Sequence, residues 1–243
     1  MKKISAALPV ALAAALAPAS AMAYELTTLG ALTQSEFRLL SEDLGAALSY
    51  KPLVPSEATG LLGFDFGIGV TGTALDNAIL LSKASNNASV HTTLPLVSAR
   101  FYKGLPFNID IAGNYTVAPE AHINAFGGEV RWAFLPGTTT MPAVAIRASG
   151  SITNGIDQLD FSTYGVDLSI SKGFAIFTPY GGIGEVWVNS TPAGSAKATL
   201  REEKFNQTKF FLGVNVNLGV NFAFEYDNTG GINSYSAKVG FRF

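Results

Sequence analysis

From residue 61 to the end, the chain alternates apolar and polar residues in runs of roughly ten, the length of a tilted membrane strand, with turn-forming clusters between them. The final run is the clearest. Side chains alternate with period two along a strand, so Tyr235, Ala237, Val239, Phe241 and Phe243 share one face, and Ser234, Ser236, Lys238, Gly240 and Arg242 the other. Before it, Phe222, Phe224 and Tyr226 alternate with Asn221, Ala223, Glu225 and Asp227. Residues 227–232 supply a turn. Phe210, Leu212, Val214, Val216 and Leu218 then alternate with Phe211, Gly213, Asn215 and Asn217, and Gly219 makes the tight turn that follows. Similar runs occupy 180–189, 164–171, 144–152, 129–134, 107–117, 97–102 and 64–71, giving ten strands in all.

The charges sort onto one side. Asp65, Arg100, Asp110, Glu129, Arg131, Arg147, Asp167, Glu185, Glu225 and Lys238 all fall on the faces read as polar. A lipid-facing Arg or Lys at mid-membrane costs about 2–4 kcal/mol, so these ten residues are expected to line a lumen and to pair across strands. The rings sort by height. Phe64, Phe101, Phe107, Trp132, Phe134, Phe241 and Phe243 gather toward one rim, and Tyr115, Tyr164, Tyr226 and Tyr235 toward the other. Two aromatic girdles suit a slab with two interfaces, whereas a soluble sandwich, with its greasy face inward, has no reason for them. Connections at the first rim are short. The other rim carries the long stretches 75–90 and 190–204.

A last strand closing on Phe243, with Phe241 and Tyr235 on the same face, resembles the assembly signal of bacterial outer-membrane β-barrels. That resemblance implies an all-β fold, a transmembrane antiparallel up-and-down barrel, recognised by the barrel assembly machinery and surrounded by outer-membrane lipid. The other end agrees. Lys2 and Lys3, an apolar stretch from residue 4 to 16, and Ala21-Met22-Ala23 have the order of a cleaved signal peptide, residues 1–23.

Residues 24–60 do not continue the strand series. Thr33-Gln-Ser-Glu36 is a capping-box pattern, and Phe37, Leu40 and Leu44 follow at helical spacing. Leu44, Ala46, Leu48 and Tyr50 also fit a short strand, which would demand a partner and raise the count to twelve. The segment reads either as a periplasmic extension or as a plug tucked into the barrel formed by 61–243. Small residues in the first strand, among them Gly67 and Gly69, would clear room for a plug. The run Asp43-Leu-Gly-Ala-Ala-Leu-Ser-Tyr-Lys-Pro52 resembles the plug region of the long-chain fatty acid transport protein family, whose barrel has more strands. No binding residue is carried over from it.

Composition narrows the chemistry. With no Cys, thiolate chemistry is absent, and two His are too few for a multi-histidine metal site. A formal charge of −2 points to no nucleic-acid partner. No cofactor is implied. A barrel hydrolase would need a nucleophile with an oriented His base. His91 and His122 both fall at the long-loop rim without that pattern, so the chain does not read as an enzyme. A barrel of ten strands is narrow enough for side chains to fill much of its lumen. The sequence therefore predicts a narrow or plugged outer-membrane channel for passive uptake of small, even hydrophobic, solutes. The alternative is a structural or adhesive barrel presenting its loops, and a lipid-modifying enzyme ranks behind both.

Overall fold

The computed structural model describes residues 24–243. The expected leader, 1–23, lies outside the described residues. Ten antiparallel strands make a closed barrel: β1 Phe64–Ala74, β2 Thr93–Leu105, β3 Ile109–Ala118, β4 Ile123–Pro136, β5 Ala143–Asn154, β6 Leu159–Ser171, β7 Phe177–Pro192, β8 Glu203–Asn217, β9 Asn221–Thr229 and β10 Ile232–Arg242. Each strand pairs with its sequence neighbours, and β1 pairs with β10 to close the ring. Closure leaves no open edge, so strand N–H and C=O groups find partners without water.

The barrel is inverted relative to a soluble protein. Arg131 and Arg147 are fully buried in the lumen, while their sequence neighbours Trp132 and Ile146 stand 50% and 43% exposed on the outside. The same reversal holds around the wall: Phe101, Leu168, Leu212 and Phe224 point out, and Arg100, Asp167, Phe211 and Glu225 point in. The outward rings form the two expected tiers. Phe64, Phe66 and Phe101 adjoin the last-strand Phe241 and Phe243 at one rim. Tyr115 packs on Phe126, and Tyr226 on Tyr235, at the other.

The rim bearing Phe243 has the tight connections, among them 172–176 and 218–220, the latter with Gly219 at φ +89°. The far rim bears 75–92 and 193–202. Several strands reach further than their alternation suggested. β7 and β8 run to Pro192 and back from Glu203, so the second long loop is shorter than 190–204. Phe107 is not a strand residue. It and Asn108 adopt φ of 64° and 58° in a turn after Pro106, and β3 begins at Ile109.

The seam between β1 and β10 depends on small residues. Gly67 lies opposite Gly240, and a Cβ on Gly240 would sit 2.0 Å from the Phe66 carbonyl oxygen. The flanking pairs, Phe66 with Phe241 and Ile68 with Val239, then bring their side chains together on the outside. Gly240→Val is expected to abolish the compact, heat-modifiable band of the folded barrel on cold gels, whereas Ala237→Val, on the outward face of the same strand, retains it. Equal folding of both variants would contradict the seam geometry.

Candidate functional site: the lumen and the segment within it

The segment preceding β1 contains helix α1, Gln34–Leu48. The capping box forms as its sequence indicates: the Thr33 hydroxyl accepts from the Glu36 amide and the Glu36 carboxylate from the Thr33 amide. The helix continues to Leu48, so residues 44–50 do not add a strand. Phe37, Leu40 and Leu44 turn inward with Leu29 and Leu32, and pack with Val186 and Val188 of β7 and with Leu94 and Leu96 of β2. At Gly45 the helix comes so near the wall that a Cβ would lie 2.8 Å from a Val188 methyl. This dry core fills the far-rim half of the lumen.

It is capped by a second helix, α2, Ala78–Ala84, from the first long loop. The apolar run 78–81 splits. Leu80 and Leu81 are buried in the core, and Ile79 stays 78% exposed. Two carboxylates of α1 hold α2 at both ends. Asp43 accepts from the Asn77 amide at 2.8 Å, and Glu36 accepts from Lys83 Nζ at 2.8 Å.

The half of the lumen toward Phe243 is ionic. Lys238 pairs with Asp65 at 2.6 Å, Arg131 with Asp110 at 2.9 Å, and Arg147 with both Asp167 at 2.8 Å and Glu129 at 3.0 Å. Nine of the ten expected lumen residues are thus buried inside. Glu185 is the exception and corrects the expectation for β7. It faces outward, accepting from Asn206 Nδ2 at 3.0 Å and Thr208 Oγ1 at 2.7 Å. The physical reason is that Val186 and Val188 pack on α1, so the apolar face of this one strand turns in. The phase rule fails where the lumen content is itself apolar.

Residues 49–59 cross this ionic half as an irregular run, bent at Val54, Ser56 and Glu57 and with Leu53 at φ +53°, and the wall grips their backbone. Lys209 Nζ donates to the Tyr50 carbonyl at 2.8 Å, the Tyr102 hydroxyl and Arg100 to that of Pro52 at 2.7 and 3.2 Å, and Arg131 to that of Pro55. Carboxylates take the amides: Glu225 accepts from Leu53 N at 3.0 Å and Asp110 from Thr59 N at 2.9 Å. Lys51 adds a buried ion pair with Asp227. The ten candidates omit Lys51, Lys209, Asp227 and Tyr102. Asp227 lies on the polar face of its run and also opens the turn cluster, and Lys209 directly precedes the run that starts at Phe210. The signal for Lys209 is a charge one period before the inward Phe211.

At the far rim the segment begins against the β3–β4 turn, where Tyr24 N donates to the Glu120 carbonyl at 2.8 Å. His91 Nδ1 lies 3.2 Å from Glu120, and His122 Nδ1 lies 3.6 Å from Glu25. Burial, then the Glu120 charge, raises the Tyr24 phenol. Among the described residues, no group of three or more His, Cys, Asp or Glu could hold a metal.

No protein-family model matches the sequence, and no curated protein matches it. Among solved structures, the N-terminal β-barrel domain of Pseudomonas aeruginosa OprF aligns over 76% of this chain and 99% of that one, at 12% identity and a TM-score of 0.38. The KdgM porin aligns over 75% and 99%, at 8% identity and 0.37. Ail, the attachment invasion locus protein of Yersinia pestis, aligns over 74% and 98%, at 8% and 0.30. At such scores these likenesses carry nothing further about this chain, whose own strand pairing establishes the barrel.

Two outcomes follow from the geometry. Arg147→Met strands Glu129 and Asp167 together in the lumen. Breaking a buried pair by removing one partner costs about 3–5 kcal/mol, to be read as a lower unfolding free energy in detergent micelles, with Arg147→Lys losing less. The second concerns α2. Hydrogen bonds from Lys83 and from the Thr33 amide hold the Glu36 carboxyl at about 2, below its ordinary 4.5. A depressed carboxyl contributes stability above its unfolded value and loses it as pH falls through the folded one. Amide exchange over 78–84, taken relative to the intrinsic rate at each pH, should therefore stay slow at pH 4 and rise only toward pH 2. Glu36→Gln should raise it at neutral pH by roughly two- to fivefold, as expected for an accessible ion pair.

Proposed function

We propose that the chain is a bacterial outer-membrane β-barrel acting as a narrow, gated channel, shut at rest by residues 24–60. The rim bearing Phe243 faces the periplasm, and the long-loop rim the exterior. The observation that carries this reading is the inverted wall. An apolar, ring-tiered outside suits hydrocarbon, and an inside lined by Arg, Lys, Asp and Glu suits water once the segment yields. A lumen meant only as solid support has no need of charges that cost several kcal/mol each to desolvate. Small solutes are the cargo this reading assigns, with the far-rim core of leucines around α1 as the apolar part of their path. Membrane lipid surrounds the barrel. Phe241, Phe243 and Tyr235 serve as its signal to the assembly machinery.

A second reading is favoured by the dry core under α2. That core pins the loops 75–92 and 193–202 into a fixed surface, as a barrel that presents its exterior would require.

Planar-bilayer recording separates the two. The full chain should give no conductance steps. A chain lacking residues 24–60, still heat-modifiable on gels, should give discrete ones. A folded deletion variant that stays silent would end the channel reading and leave the presenting barrel.

A further inference from the structure

The lumen treats residues 49–59 as a bound peptide. The wall reads carbonyls and amides at Tyr50, Pro52, Leu53, Pro55 and Thr59, groups that any polypeptide carries. Pro52 and Pro55 lack N–H donors and fix their own φ, so the wall needs few acceptors opposite them, and Leu53 between them takes φ +53°, which turns the backbone there. One side chain is selected by charge, Lys51 against Asp227. Main-chain bonds give affinity here and a charged pocket gives specificity, the same division of roles that peptide-binding grooves use.

We propose that the ionic half of the lumen is a peptide-binding site, and that its ligand class is a bent, proline-containing polypeptide with a lysine facing Asp227. Residues 49–59 are its tethered occupant. The proposal does not rest on the channel reading. A silent deletion variant in a bilayer leaves it standing, and a conducting one does not establish it.

The site can be tested on the full chain. Leu61 and Leu62 are 58% and 85% exposed at the turn into β1, and a protease recognition sequence inserted between them allows the folded protein to be cut there. After cutting, the barrel is incubated with an excess of fluorescent synthetic peptide of residues 24–61, with folding followed by heat-modifiable migration. The native peptide should exchange in and co-migrate with the folded barrel. The same peptide carrying Lys51→Glu, which sets two carboxylates together, should be taken up at least a hundredfold less. Asp227→Lys in the barrel should reverse that order. Failure of the native peptide to enter a barrel that remains folded would overturn the proposal, since the segment would then be a fixed core element. Equal uptake of both peptides would overturn it as well, since nothing would be recognised.

Discussion

A charge taken out of water inside this barrel has to meet an opposite charge or a carbonyl, and that single constraint fixes both the wall and what lies within it. Desolvating an ammonium or guanidinium costs several kcal/mol, recovered only by good geometry and further hydrogen bonds. Lys238 and Asp65 meet that requirement across the β1–β10 seam, and Arg147 meets it by donating to Asp167, with the Glu129 carboxylate a close opposite charge on its other side. Lys51 and Lys209 meet it through the segment, one by pairing with Asp227 and the other by donating to the Tyr50 carbonyl. Empty the lumen of residues 49–59 and several wall groups lose their partners, so water or solute must replace the peptide. The ionic half is stable when filled and hydrated when not.

The far half obeys a different rule. Leu29, Phe37, Leu40 and Leu44 bury fully against the wall and α2, each contributing on the order of 1.5–3 kcal/mol of apolar burial. Water would gain nothing by entering. The two halves therefore divide the work: the leucine core anchors the segment, and the ionic stretch gives it a specific path. The junction falls where α1 ends at Leu48 and the irregular run begins. There Ser151 donates to the last helical carbonyl at 2.8 Å, satisfying a group that the helix itself leaves open.

Legibility in the sequence follows the same division. Strand number, the inward sorting of charge and the two ring tiers could be read because lipid outside imposes one rule on every strand, and period-two alternation records it. The helix at Gln34–Leu48 was legible through its capping box and Phe37-Leu40-Leu44 spacing. What failed to appear was anything set by the lumen content. Glu185 was placed inside because a glutamate normally follows the polar face, yet α1 presents leucines to β7 and draws Val186 and Val188 in. The outer ends of β7 and β8 escaped notice because above the lipid both faces turn polar and alternation vanishes. Helix α2 went unread for a related reason: Leu80 and Leu81 look exposed until one knows that a core lies beneath them.

The course of the segment also constrains assembly. It starts at the far rim, where Tyr24 meets Glu120, and ends at the opposite rim, where the Arg242 guanidinium donates to the Glu57 carbonyl and the Thr59 amide to Asp110. β1 follows at once, and its second partner is β10, the last strand made. Such pairing across nearly the whole chain is slow to form, since loop closure must precede any gain from contact. Until the seam shuts, the segment can lie along the open sheet and pair with wall groups as each hairpin arrives. Once Gly67 and Gly240 meet, the only route left is end-on threading past a dry leucine core. The segment is therefore placed most readily before closure, and exchange into a finished barrel runs more slowly, through a rim.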